Sequence, residues 1–191
     1  SCYNNCMAAR LKEDLTKLDL ENPFKKYNYK KMIKHLFWNG SYFIDDLKGN
    51  KETITGDANV FPFWLEVFKD KSMLEKTVKS IQSIKLDEPI PLKYSDKRYS
   101  HHKMIFIENF VPNYEGNTCW MHMGPLYVQL VNKLDSAKAK EYKKKYTELI
   151  EKYHNFLELF DIHGKPFKSK FYYADEGMLW AANYLTMQNK K

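Results

Sequence analysis

The chain has 191 residues, a length that predicts one domain spanning residues 1–191. Its hydrophobic content of 43% can build a core, and no window approaches the ~18 apolar residues of a membrane span, so we expect no membrane partner. The net charge is +7, but Arg10 and Arg98 are the only arginines among 31 basic residues. Nucleic-acid binders favour arginine for bidentate contacts, so this balance argues against a nucleic-acid partner.

The three cysteines, Cys2, Cys6 and Cys119, are an odd number in a sizeable chain. This argues against a disulfide framework and predicts a reducing, cytoplasmic location. Cys2 and Cys6 can share a helix face, but buried thiols are a better interpretation than a two-thiolate metal half-site. His101 and His102 are adjacent and diverge in most backbones, so without a third ligand at useful spacing we predict no metal site there.

Apolar spacing predicts an almost wholly helical protein, beginning with two helices separated by a stop at residues 22–23, an Asn-Pro pair. The predicted apolar positions are Ala8, Leu11, Leu15 and Leu18 in the first helix, and Tyr29, Met32, Ile33, Leu36 and Phe37 in the second.

A loop is predicted over 39–55, followed by a third helix that Asp57 caps. Ser72 and Glu75 form a capping box and open a fourth helix. Three prolines mark residues 86–116 as a long ordered loop, a kind of segment that is usually functional in a compact domain.

A fifth helix is predicted to start at Asn117 or Thr118, and Ser136 caps a sixth helix that Glu158 ends. A seventh helix runs from about Asp175 to Met187. The helices pair as hairpins, first with second, third with fourth and fifth with sixth. The seventh lacks a partner, so the chain does not form a closed set of hairpins.

Glu158 is the strongest candidate for chemistry. A carboxylate at a helix C-terminus meets the negative end of the helix dipole, which raises its basicity. Phe156, Phe160 and Tyr153 surround it in the sequence, so it is a candidate general base for activating water. The alternative is an exposed glutamate at a fraying helix end.

Two further groups of residues suit sugar recognition. Asp57 and Asn59 lie at a helix start beside Phe61, Phe63 and Trp64, although a plain N-cap also explains Asp57.

Trp120 and His122 precede a Gly-Pro pair at residues 124–125. Such a pair is costly inside a helix and predicts a close approach at its N-terminal end. The alternative is a first-turn proline beside a core tryptophan.

Four segments, in order, resemble motifs of the six-hairpin (α/α)6 glycosidases, the group of glucoamylases, amylo-1,6-glucosidases, trehalases and processing glucosidases. ELFDIHGKPF resembles the base motif, and CWMHMGPLYVQL resembles the W-R-G-P-x-W helix, with His122 where the group usually has arginine. GDANVFPFWLEVF resembles an Asp-containing segment before a Pro-containing helix, and EGMLWAANYL resembles the closing helix.

This resemblance implies an all-α fold, the C-terminal part of an (α/α)6 toroid of helical hairpins. It also implies an inverting glycoside hydrolase of the α-glucosidase or glycogen-debranching type, acting on α-linked glucosides or oligosaccharides. One carboxylic acid protonates the glycosidic oxygen while a second, roughly 6.5–9.5 Å away, activates water. Glu158 falls on the base, and the resemblance implies no metal and no organic cofactor. The predicted sugar-contacting or site-wall residues are Asp57, Asn59, Trp64, Trp120, His122, Tyr173 and Trp180.

In that group the general acid lies well before anything that resembles Ser1–Leu18. We therefore expect the acid on a missing N-terminal segment or chain that completes the toroid, with Glu115 as the one internal substitute.

Two other classes of function stay open. A non-catalytic carbohydrate-binding or regulatory helical module would keep the half-toroid without turnover. A Lys-rich nucleic-acid-binding helical domain would bind with an affinity that falls steeply with salt.

Overall fold

The computed structural model describes residues 1–48, 53–97 and 105–189. Within those ranges the chain forms eight helices and one two-stranded antiparallel sheet, β1 with β2. The elements in chain order are α1 (Cys2–Lys17), α2 (Tyr29–Phe37), α3 (Gly56–Trp64), α4 (Lys71–Ser83), α5 (Ile105–Phe110), β1 (Cys119–Trp120), α6 (Gly124–Asn132), α7 (Ser136–Tyr153), β2 (Leu159–Phe160) and α8 (Met178–Asn189).

The predicted, mostly helical class is confirmed, but two helix boundaries beside the candidate site were wrong. α6 starts at Gly124 rather than at residue 117 or 118, because residues 119–120 pair with residues 159–160 as strands. α7 ends at Tyr153, where His154 adopts a left-handed conformation with φ 52°. Glu158 therefore lies beyond the helix, and the helix-dipole argument for its basicity does not apply.

The predicted caps also shift by one or two residues. Asp70 caps α4 by accepting from the Met73 amide at 3.1 Å, so the Ser72–Glu75 box is not the start signal. Asp135 caps α7 in place of Ser136. Thr55 is the N-cap residue of α3, and Asp57 lies inside the first turn. A cap must precede the first helical residue, and each predicted cap already lies inside its helix.

Two of the predicted hairpins are present, α1 against α2 and α6 against α7. α3 packs mainly against α1 and α6 rather than α4, and α8 packs against α6, so the last helix does have a partner. α3 and α6 are apolar on nearly all sides, and their residues from Gly56 to Phe63 and from Gly124 to Val128 are all buried. A helix of that composition belongs in the centre of a domain.

α1 faces the opposite way from the sequence prediction. Cys2, Cys6 and Ala9 are its buried residues. Leu11 and Leu18, on the predicted apolar face, are 45% and 68% exposed. The spacing is helical as predicted, but the richer apolar stripe lies on the outer surface, because the small residues of the other face fit closely against the core.

The segment after α4 is ordered where the structure describes it. Tyr142 donates its hydroxyl to Asp87, and Tyr146 donates to the carbonyl of Pro91, so two buried tyrosines of α7 hold this segment. The predicted loop also contains the short helix α5. Residues 98–104, which include the adjacent histidines at 101–102, lie outside the described ranges.

None of the helices in the described ranges is long and apolar enough to cross a membrane.

The close approach predicted at Gly124 is present. A β-carbon added there would overlap the Pro91 carbonyl and the Tyr146 hydroxyl. We expect Gly124→Ala to destabilise the fold by about 1–3 kcal/mol through overpacking. Urea denaturation measures this. Without the overlap, the same change would stabilise the fold by about 0.4–1 kcal/mol, because alanine reduces the entropy of the unfolded chain. A gain in the free energy of unfolding would therefore contradict the close contact.

The orientation of α1 predicts opposite effects on its two faces. Leu11→Gln should change the free energy of unfolding by less than about 0.5 kcal/mol, since an exposed side chain is replaced. Ala9→Gln should cost about 1–3 kcal/mol, because Ala9 is buried and a larger side chain overpacks the site. Thermal denaturation of the two variants compares them. A large loss for Leu11→Gln would show that the outer stripe packs in the core.

Candidate functional site

The sheet between β1 and β2 positions the candidate base beside the predicted aromatic residues. Trp120 pairs with Leu159, the residue after Glu158. The Met121 amide donates to the Glu158 carbonyl at 3.0 Å, and the Glu158 amide donates to the Asp175 carbonyl at 2.8 Å. Main-chain bonds therefore hold Glu158 on two sides, between the end of β1 and the segment that enters α8.

Two tyrosines hold the Glu158 carboxylate. Tyr114 donates its hydroxyl to Oε1 at 3.2 Å, and Tyr172 donates to Oε2. Burial, then the charge of Glu158, raises the pKa of Tyr114 to about 12. Burial and the hydrogen bond to Glu158 also raise the pKa of Tyr172. Both phenols therefore keep their protons at neutral pH and act as donors, which leaves the half-buried carboxylate as the acceptor.

A continuous group of rings extends from this carboxylate. The ring centroid of Trp120 lies 4.9 Å from Tyr114, 5.4 Å from His122, 6.0 Å from Tyr94 and 6.4 Å from Trp180. The Trp120 indole nitrogen donates inside the fold, to Thr118 Oγ1 at 3.1 Å, so the ring is locked in place. We call this group the ring cluster; its members are Tyr94, Tyr114, Trp120, His122, Tyr172 and Trp180.

His122 lies between three other rings. Its centroid is 5.1 Å from Trp180, and its plane stacks on Phe61 of α3 at 6.5 Å. Burial lowers the pKa of His122 to about 4. The buried Nδ1 has no hydrogen-bond partner among the described residues. A neutral imidazole with a spare polar atom is therefore placed beside the Trp120 indole.

Asp57 lies on the α3 side of the ring cluster. Its Oδ1 accepts from the Ala58 amide at 2.6 Å, and the side chain is almost fully buried. Its negative charge contributes, after burial, to raising the pKa of Tyr94 and of Tyr3. Glu115 is half-buried, and its charge also contributes to raising the pKa of Tyr94. The ring cluster therefore carries carboxylates on more than one side.

The structure brings together Glu158, Trp120, His122 and Trp180, with Asp57 beside them, but it places the other candidates elsewhere. Asn59 is 1% exposed, and its side-chain amide hydrogen-bonds to the main chain of Phe43 and Thr55. Its role is therefore structural. Trp64 contacts Phe61 and is partly exposed.

Tyr173 points to the surface, where the Lys168 ammonium lies over its ring. Its neighbour Tyr172 is the residue that holds Glu158.

Sequence reasoning missed the partners of Glu158. Tyr172 carried a usable signal, since it is one of two adjacent tyrosines that follow the turn after Glu158. Tyr114 carried none, because it lies in an irregular Pro-rich segment, 44 residues before its partner.

Among the described residues, no group of three or more His, Cys, Asp and Glu side chains is placed to hold a metal ion. Cys2 and Cys6 are buried, and their mutual hydrogen bond, together with burial, raises the pKa of Cys2. They fit the interpretation of buried thiols better than that of metal ligands.

No protein-family model matches the chain, and neither a curated protein nor a solved structure matches it.

The low pKa of His122 predicts a specific acid sensitivity. Between its ordinary pKa of 6.5 and its folded value of about 4, the unfolded chain binds a proton that the folded chain does not. Stability therefore falls as pH drops through this window, by up to about 1.4 kcal/mol per pH unit. Between about pH 7 and pH 5, the wild type should lose about 1–2 kcal/mol more than His122→Gln.

Urea denaturation at the two pH values measures the difference. His163→Gln, a change at an exposed histidine, is the matched control and should keep the wild-type pH dependence. If His122→Gln also keeps it, His122 is not buried as a neutral group.

Proposed function

We propose that the chain is part of a glycoside hydrolase of the inverting α-glucosidase or glycogen-debranching type, with Glu158 as the general base. One observation carries the proposal: two tyrosine hydroxyls hold the half-buried carboxylate of Glu158 at the edge of a cluster of indole, phenol and imidazole rings. A carboxylate fixed in this way is suited to orient a water, while the ring faces suit the C–H faces of a sugar.

The order of the motifs supports the same proposal. The segments that resemble the base motif, the Gly-Pro helix and the closing helix of the six-hairpin glycosidases contribute Glu158, Trp120 and Trp180. The main-chain and ring contacts that join these residues are non-local. On this proposal the helical hairpins are part of an (α/α)6 toroid.

Each group in the site has a defined role on this proposal. Glu158 accepts the proton of the attacking water, and Tyr114 and Tyr172 fix the direction of its two oxygens. His122 is neutral at physiological pH, so it offers a hydrogen bond to a sugar hydroxyl without adding positive charge beside Glu158. Asp57 and Trp180 supply further contacts at the sides of the sugar. No cofactor takes part.

The general acid comes, on this proposal, from a segment outside this chain. The exposed apolar face of α1, with Leu11 and Leu18, offers a surface for such a segment. Glu115 is the internal alternative, because it lies close enough to affect the pKa of Tyr114. The three free cysteines are in keeping with a cytoplasmic enzyme.

A substrate that needs no general acid tests Glu158 on this chain alone. Fluoride leaves α-glucosyl fluoride without prior protonation, so only the activation of water is required. Wild-type protein should hydrolyse it with inversion to β-glucose, and Glu158→Gln should lower kcat by about 10²–10⁴-fold, the usual contribution of a general base. Proton NMR follows the anomer formed, and a fluoride electrode gives the rate.

Glu151→Gln, on the exposed surface of α7, is the matched control and should keep the wild-type rate. Binding of maltose, followed by tryptophan fluorescence, separates the enzyme from a non-catalytic sugar-binding module. Maltose binding without release of fluoride would favour the module and reject Glu158 as a base.

A further inference from the structure

A cavity of about 430 Å³ lies between α1 and the start of α2, and its size suits a small ligand. Its lining comes from Ala9 and its neighbours on α1, from residues 25–30, and from Val67 in the segment between α3 and α4. We call this cavity the basic cleft. None of its lining residues belongs to the ring cluster, so the proposed catalysis does not use it.

The basic cleft collects positive charge. Four lysines are among its lining residues: Lys12, Lys25, Lys26 and Lys30. In the part of the chain that the structure describes, none of these four ammonium groups forms an ion pair with a carboxylate. Glu13 also lines the basic cleft, so the four lysines exceed the one carboxylate by three charges. An anion placed among them is attracted by all four.

This convergence is not a simple result of the high lysine content. On α4 and α7, lysines alternate with glutamates and pair with them, as Lys71 does with Glu75 at 3.9 Å and Lys144 with Glu148 at 3.6 Å. Residues 22–44, in contrast, contain five lysines and neither Asp nor Glu. Three of the four lysines of the basic cleft come from that stretch, where the chain supplies no carboxylate to neutralise them.

Hydrogen bonds within the protein hold the walls of the basic cleft. Lys12 Nζ donates to the Tyr27 carbonyl at 2.7 Å, which ties α1 to the connection before α2. The Asn22 side chain donates to the Lys12 carbonyl at 2.9 Å. Asn28 caps α2 by accepting from the Lys31 amide at 3.1 Å. A ligand therefore meets a preformed cavity and does not have to order the chain, which favours binding.

The chemistry of the lining favours phosphate groups. Lysine binds phosphate as a compact point charge, whereas the planar fork of arginine is the better match for a carboxylate. The described lining contains lysines and no arginine. Asn28 and Tyr29 also bring the N-terminus of α2 into the lining, where the positive end of the helix dipole adds to the lysine charges.

We propose that the basic cleft binds a small soluble anion that carries two or three linked phosphate groups. Several lysines around one cavity match several phosphate charges better than they match a single one. This inference goes beyond the proposed function and does not rest on it, because the basic cleft and the candidate site share no residue.

Isothermal titration with sodium tripolyphosphate tests the proposal, at low ionic strength, where exposed charges are least screened. The wild type should bind one equivalent. Lys25→Gln combined with Lys30→Gln should weaken binding by about tenfold, the size of two exposed ion pairs. Both side chains are exposed, so thermal denaturation without ligand should show a double variant as stable as the wild type.

Lys76→Gln combined with Lys79→Gln is the matched control, because it removes the same two positive charges from the exposed face of α4. It should keep the wild-type Kd for tripolyphosphate. Equal losses in the two double variants would overturn the proposal, since net charge alone would then explain binding. Binding to vesicles that contain anionic lipids, without binding of tripolyphosphate, would overturn it in favour of a membrane surface. The absence of binding to either probe would also reject the basic cleft as an anion site.

Discussion

The candidate site depends on one short piece of main-chain pairing. Two residues of β1 pair with two of β2, and the hydrogen bonds from Met121 to Glu158 and from Glu158 to Asp175 extend that pairing on both sides. These bonds join three segments that are far apart in the chain. They place the main chain of Glu158 next to that of Met121, one residue after Trp120.

Two buried tyrosine hydroxyls also help to fix the position of Trp120, through the segment that follows α4. Tyr142 and Tyr146 of α7 bond to the segment after α4, and that segment in turn accepts the Trp120 amide at the Leu92 carbonyl, at 2.8 Å. A buried donor without its acceptor costs about 1–3 kcal/mol, so each tyrosine ties its position to that of the loop. The close contact at Gly124 follows from the same arrangement, since the Pro91 carbonyl leaves no room for a side chain.

The electrostatics of the site form a consistent set. Burial raises the pKa of Tyr114, so its phenol keeps its proton, and burial lowers the pKa of His122, so its imidazole does not take up a second proton. Both groups are therefore uncharged at neutral pH. Among the described residues, the carboxylates whose charge raises the pKa of Tyr94 or Tyr114 are Glu158, Asp57, Glu115 and Asp45. A site of that kind orients water and hydroxyl groups rather than binding anions.

Local residue patterns were enough to predict the helical class, the approximate positions of most helices, and Glu158, Trp120, His122 and Trp180 as candidate site residues. Helical periodicity is a local property, so it can be read along one segment. The packing of the whole chain was needed to show that α1 turns its small residues inward, that Glu158 lies just before strand β2 instead of ending a helix, and that Tyr114 and Tyr172 are its partners. Those outcomes depend on packing and pairing between segments far apart in the chain, and spacing along one segment carries no information about them.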